Sequence, residues 1–129
     1  MPSQPLTEVN PDLLDLAKEY ANLERQVIIH CRFHPGLMPL PFIRIWPSTY
    51  LKPKGSEESA KLLQAFNISF YPEWQRIEFN RYHFFTLVFE GLPKDCTSFD
   101  LIEEIPEPGG FFFPNIKRNE SDIYQVDLK

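Results

Sequence analysis

Alternation of apolar and polar residues is the dominant pattern along this chain of 129 residues. In residues 27–33, VIIHCRF, every second residue is apolar, which predicts a half-buried strand with Cys31 in the core. Residues 82–90, YHFFTLVFE, have apolar residues on both sides and predict a central strand. Further short strands are predicted at residues 42–46, 48–52, 62–68, 75–80, 98–105, 111–117 and 123–128.

One segment has helical rather than strand spacing. Residues 1–10 are expected to be flexible, and residues 11–25 are predicted to form an amphipathic α-helix, with Asn10 at its N-cap and Pro11 in its first turn. Such a helix either covers a face or an edge of the domain's own sheet or docks on a partner. Its apolar stripe consists of Leu13, Leu16, Ala17, Tyr20 and Leu23.

The spacing of the strands indicates the architecture. The chain contains 13 prolines and 5 glycines, and most of them lie between the predicted elements rather than in a low-complexity tract. Short strands at regular intervals, not alternating with helices, are typical of sandwiches and partly open barrels. We therefore predict a mainly β fold: a single antiparallel β-sandwich with one N-terminal α-helix, forming one domain over residues 11–129.

Residues 85–104, FTLVFEGLPKDCTSFDLIEE, contain two apolar runs joined by a polar corner, which is predicted to turn the chain. This stretch resembles small all-β proteins without an assigned role, many of them from Bacteroidota, through residues 85–93, 99–103 and, more loosely, 43–51 and 109–116. The resemblance implies an immunoglobulin-like sandwich and brings no catalytic residues. Such relatives are often exported or attached to envelope proteins, whereas this chain has no signal-like start and has a predicted helix in front.

Charge and hydropathy indicate which classes of partner and which compartment to expect. A net charge of −5 argues against nucleic-acid binding, which needs basic side chains to displace counterions from phosphates. No run of eighteen apolar residues predicts a membrane span, and the start lacks the pattern of a secretory signal. The expected compartment is therefore the cytoplasm, or an extracytoplasmic one if the sequence is a trimmed piece. The 2 cysteines are too few for a disulfide framework, although a single Cys31–Cys96 bridge stays open.

Residues 30–34, HCRFH, contain three side chains of metal-ligand type. On a strand His30 and Cys31 point to opposite faces, and no second ligand pair follows, so we expect neither a metal nor another cofactor. Neither cysteine is flanked by a motif that would activate a nucleophile. The carboxylates at residues 103, 104 and 107 fit a solvated face, and we expect no enzyme activity.

Exposed aromatic residues remain as candidates for recognition. Each could cover the core, anchor a protein interface or stack on a sugar or small ligand. We expect a non-catalytic binding or assembly module that contacts another protein through aromatics and sheet edges, with homo-oligomerisation left open. The alternative is a small-ligand or carbohydrate-binding sandwich, which requires both tryptophans to line one concavity. The candidate residues are Trp46, Tyr50, Tyr71, Trp74 and Phe112.

Overall fold

The computed structural model describes residues 25–128, which form nine strands and contain no helix. The prediction of a mainly β fold is confirmed. The predicted flexible N-terminus and the predicted helix lie outside the described residues, apart from Arg25. The strands are β1 Val27–Phe33, β2 Phe42–Ile43, β3 Tyr50–Pro53, β4 Ala60–Phe66, β5 Gln75–Arg76, β6 His83–Phe89, β7 Ser98–Ile102, β8 Phe112–Lys117 and β9 Ile123–Leu128.

Seven of these strands form one sheet in the order β8-β7-β3-β4-β6-β1-β9, and β2 pairs with β5 separately. The predicted central position of β6 is confirmed, since it pairs with β4 on one side and β1 on the other. The prediction of a purely antiparallel arrangement is wrong: an isolated parallel bridge joins Ile45 to Phe70, and β1 and β9 pair in parallel. They are the first and last described strands, so the whole intervening chain serves as the long crossover that a parallel pair needs.

The seven-stranded sheet curls until its two halves face each other, which gives it a nearly barrel-like shape. Phe99 on β7 packs edge-on against Tyr124 on β9, with ring centroids 5.1 Å apart, although these strands lie near opposite ends of the strand order. Within residues 25–128 no β8–β9 pairing closes the barrel. The core inside the curl takes its fully buried side chains from several strands, among them Val27, Ile29, Leu51, Leu87, Phe89, Phe99 and Leu101.

Several strand boundaries differ from the sequence prediction. Strands β5 and β7 end at Arg76 and Ile102 rather than at residues 80 and 105, and β3 spans Tyr50–Pro53 rather than 48–52. Strand β4 ends at Phe66 rather than continuing to Ile68, because Asn67 has a φ of 63°, which interrupts an extended chain. Only Phe42–Ile43 of the predicted strand 42–46 is regular. After Ile43 the chain stops pairing with β5, and Ile45 forms a separate bridge to Phe70.

The polar corner after β6 connects two strands, β6 and β7, that are not neighbours in the sheet. Strands β3 and β4 lie between β6 and β7 in the sheet, so the connection passes from one half of the curl to the other. Arg118 holds it by donating to the carbonyl oxygens of Pro93 and Cys96. The same guanidinium pairs with Asp122, which is only 1% exposed. These contacts support the prediction that the corner turns the chain.

Both cysteines are free thiols, so no bridge joins them. Cys31 lies in the core, where burial raises the pKa of its thiol to about 12. Cys96 is also buried, and its Sγ contacts the carbonyl oxygen of Ser98. The part of the chain that the structure describes includes no helix long and apolar enough to cross a membrane.

Candidate binding site

A cleft of about 240 Å³ opens at one end of the curled sheet. The last residues of β1 and β9, Phe33 and Leu128, contribute to its apolar wall, together with Phe85 of β6. The loop between β7 and β8 forms another wall. Both tryptophans of the chain, Trp46 and Trp74, line this one concavity.

Arg44 is the centre of an aromatic stack beside the cleft. Its guanidinium carbon lies 3.8 Å from the centroid of the Trp74 ring and 4.6 Å from that of Tyr71. Tyr71 in turn stacks on Trp46, with ring centroids 3.8 Å apart and an interplanar angle of 22°. The Arg44 side chain is only 14% exposed and also pairs with Glu107 at 3.3 Å. These contacts hold the rings in one arrangement before any ligand arrives.

The backbone explains why these side chains meet. Ile45 points into the core, so Arg44 and Trp46 on either side of it share the opposite side of the chain. Hydrogen bonds of 2.9 Å join the Ile45 N–H to the Ser69 carbonyl and the Tyr71 N–H to the Ile45 carbonyl. This short parallel contact places residues 70–74 beside residues 44–46. The Arg44 Nη1 then reaches the Pro72 carbonyl at 3.2 Å.

Glu103 is a buried carboxylate in the wall of the cleft, with 7% of the residue exposed. Its Oε2 accepts a hydrogen bond of 3.2 Å from the Trp46 backbone N–H. Burial raises the pKa of Glu103, and amide hydrogen bonds and the Arg44 charge partly oppose that shift. The loop can fold this tightly because Gly110 has no Cβ, which would clash with the Glu103 carbonyl oxygen.

A shallow apolar groove adjoins the cleft and shares Trp74 with it. We call it the Trp74 groove; its four lining residues are Met38, Leu40, Phe42 and Trp74. Each of these side chains is between 48% and 62% exposed. Single exposed apolar residues are ordinary on protein surfaces, but a contiguous set in a depression is typical of an interaction site.

The structure brings three of the five candidate residues together. Trp46, Tyr71 and Trp74 form the stack around Arg44. Tyr50 and Phe112 lie elsewhere. Ile102 on β7 pairs with Tyr50 on one side and with Phe112 on the other, so the three residues form a row across the sheet. Phe112 is 60% exposed, while its neighbour Phe111 lines the cleft.

Sequence reasoning missed Arg44 and Glu103 as parts of the site. Arg44 had a usable signal, because it lies between Phe42 and Trp46 on the outward side of the alternating run FIRIW. Glu103 had none, since its burial depends on the fold of the β7–β8 loop against Trp46. The sequence indicated a solvated face at that position, and for Glu103 this is wrong.

Each histidine of the chain forms a hydrogen bond within the fold. His30 hydrogen-bonds to Thr86 at 2.9 Å, and His83 contacts the Asn67 carbonyl oxygen at 2.7 Å. His34 accepts from the Gly36 N–H at 3.0 Å. Residues 25–128 hold no group of three side chains arranged to bind a metal ion.

Over residues 25–128, fold and site together define a β structure with an aromatic–arginine cleft at one end of a curled sheet. Searches with protein-family models, among curated proteins and among solved structures found no match to this chain. The resemblance to small all-β proteins of Bacteroidota therefore stays a prediction, and the geometry of the site carries the functional argument.

Proposed function

We propose that this protein is a non-catalytic binding module that docks a segment of another protein in the Trp74 groove. The observation that carries the proposal is the contiguity of four exposed apolar side chains, with Trp74 56% exposed at the point where groove and cleft meet. Burying an indole and its apolar neighbours supplies the central anchor that protein interfaces use.

Preorganisation supports this role for Trp74. The Arg44 guanidinium stacks on its ring, and Glu107 and the Pro72 carbonyl fix the guanidinium in turn. A partner that packs against the other parts of the ring therefore immobilises few additional torsions. Lower ordering cost leaves more of the contact energy as affinity.

Charge supports a particular kind of partner. The chain has a net charge of −5, exposed Glu73 directly precedes Trp74, and Glu107 lines the adjoining cleft. A docking segment with apolar anchors and basic flanking residues complements this surface, and charge complementarity contributes mainly to specificity and association rate.

We infer that the curled sheet is a variant of the immunoglobulin-like sandwich, and the packing of Phe99 on Tyr124 across the interior supports two facing layers. The cytoplasmic location and the absence of catalysis remain predictions from the sequence.

Small-ligand or carbohydrate binding is the second candidate function. Its specific support is that Trp46 and Trp74 both line one cleft, as that alternative requires. However, about 240 Å³ lies below the roughly 300–1,000 Å³ of ordinary ligand pockets, which disfavours anything larger than a fragment.

A peptide-display selection tests the proposed function. A randomised library is selected on the wild-type protein and, in parallel, on Trp74→Ala and Phe112→Ala variants whose folding has been checked by circular dichroism. Phe112 is a matched control because it is an exposed aromatic residue, at 60%, outside the groove. We expect enriched peptides with apolar anchors and Lys or Arg flanks that bind the wild type and the Phe112 variant but not the Trp74 variant. No enrichment, or enrichment that survives Trp74→Ala, contradicts the proposal.

A further inference from the structure

The cleft is large enough for one long side chain. About 240 Å³ lies below the usual range of pockets for drug-sized ligands, and the cleft is open beside Trp74, where the proposed partner segment would pass. A segment lying in the Trp74 groove could therefore insert one of its own side chains into the cleft. The lining of the cleft limits the chemistry of that side chain.

Most of the lining is apolar, and the polar part has an excess of negative charge. Phe33, Ile68, Phe85 and Leu128 contribute hydrocarbon walls. The charged groups of the lining are Arg44, Glu103 and Glu107. Arg44 and Glu107 neutralise each other at 3.3 Å. No ion pair to Glu103 occurs within residues 25–128, so this carboxylate has no direct counter-ion, although the Arg44 charge acts on it from a distance.

We propose that the cleft binds a lysine side chain of the partner, with its methylene stem along the apolar wall beside the two indoles and its ammonium group at Glu103. This inference rests on the proposed function and deepens it by naming the partner residue. A buried carboxylate without a counter-ion is costly, and an arriving ammonium group offsets that cost. The four-carbon stem covers apolar surface while the charge stays at its tip.

Lysine fits the cleft better than arginine because one carboxylate oxygen of Glu103 already accepts a hydrogen bond. A guanidinium recognises a carboxylate best through both oxygens in a planar fork. Glu103 Oε2 already accepts the Trp46 N–H, so a bidentate pair would displace that bond. An ammonium group is a compact charge and can pair with a carboxylate oxygen without the fork geometry.

The test uses the two indole N–H signals in nitrogen-15 NMR, since the chain has only 2 tryptophans and both line the cleft. The probes are Nα-acetyl-lysine methylamide and Nα-acetyl-norleucine methylamide, which share a stem and differ in the ammonium group. We expect saturable shifts of both indole signals with the lysine probe and at least fivefold weaker binding of the norleucine probe. Glu103→Gln should abolish the preference, and Glu57→Gln, which removes an exposed charge that lines neither the cleft nor the Trp74 groove, should preserve it.

Three results of the probe titrations overturn the inference: no saturable shift with the lysine probe, equal binding of the two probes, or an unchanged preference in Glu103→Gln. If Glu103→Gln does not fold, the comparison of the two probes on the wild type still decides. Failure here is distinguishable from failure of the proposed function, because the peptide selection depends on Trp74 and the small probes do not require a partner. Peptides that need Trp74 but have no lysine preference would leave the docking proposal intact and remove this one.

Discussion

Replacing Arg44 by alanine is the sharpest test of how the site is held. The substitution removes the guanidinium that lies 3.8 Å from the Trp74 ring and 4.6 Å from the Tyr71 ring. It also breaks the ion pair with Glu107 and the hydrogen bond to the Pro72 carbonyl. If these contacts organise the site, the loss should be visible in the stability of the whole domain.

The magnitude follows from the exposure of the groups. Because the Arg44 side chain is only 14% exposed, each close cation–π contact should contribute about 1 kcal/mol, between the exposed and the desolvated limits. Glu107 is 49% exposed, so its ion pair should add at most a few tenths of a kcal/mol. The hydrogen bond adds about 1 kcal/mol. Since these terms share one side chain and overlap, we expect a total loss of about 2–3 kcal/mol.

Urea unfolding followed by far-ultraviolet circular dichroism measures this loss without relying on tryptophan fluorescence, which the substitution itself changes. At about 1–3 kcal/mol per molar urea for small proteins, the midpoint should fall by about 0.7–3 M. Arg76→Ala is the matched control, because Arg76 is an exposed arginine on β5 and its side chain has no ion pair among the described residues. We expect Arg76→Ala to stay within about 0.5 kcal/mol of the wild type. Equal midpoints for the two variants would refute the account of the stack.

Three further predictions concern buried groups. Asp122→Ala should lower the free energy of unfolding by about 3–5 kcal/mol, because it leaves Arg118 partly buried without its carboxylate partner; a loss below about 1 kcal/mol in urea unfolding would contradict this. In a Cys96→Ser background, Cys31 should react with a thiol reagent at pH 8 only as fast as the domain unfolds, since burial raises its pKa to about 12; immediate labelling of the native protein would show an accessible thiol. Because burial raises the pKa of Glu103 above 4.5, its protonated form favours the folded state below that pH, and this contribution should be lost as pH rises through the raised pKa. Between pH 4 and pH 7 the free energy of unfolding, measured by urea titration, should therefore fall further in the wild type than in Glu103→Gln. An identical fall in the two proteins would count against the assignment.

The strands were predictable where local pattern decides them. In β1 the alternation sets which residues face the core, and the structure buries Ile29 and Cys31 as expected; β6, which is apolar on both sides, takes its predicted central position. The order of the strands was not predictable, because the parallel β1–β9 pair joins the two ends of the described chain and no local signal specifies it.

The site was predictable by residue type but not by arrangement. Residue type indicates Trp46, Tyr71 and Trp74 as exposed aromatics, but it indicates Phe112 equally, and Phe112 lies away from the cleft. What joins the first three is Arg44, whose role depends on the backbone contact between residues 45 and 69–71. This contact joins segments that are distant in the sequence, so the alternation of apolar and polar residues within one strand cannot indicate it.

Calorimetric titration of a selected peptide into the wild type, Trp74→Ala and Phe112→Ala tests the central claim most directly. A central tryptophan anchor contributes about 2 kcal/mol or more, so Trp74→Ala should weaken binding by about 30-fold, while Phe112→Ala leaves the affinity within about twofold. Equal affinities for the wild type and the Trp74 variant would contradict the docking of a partner in the Trp74 groove.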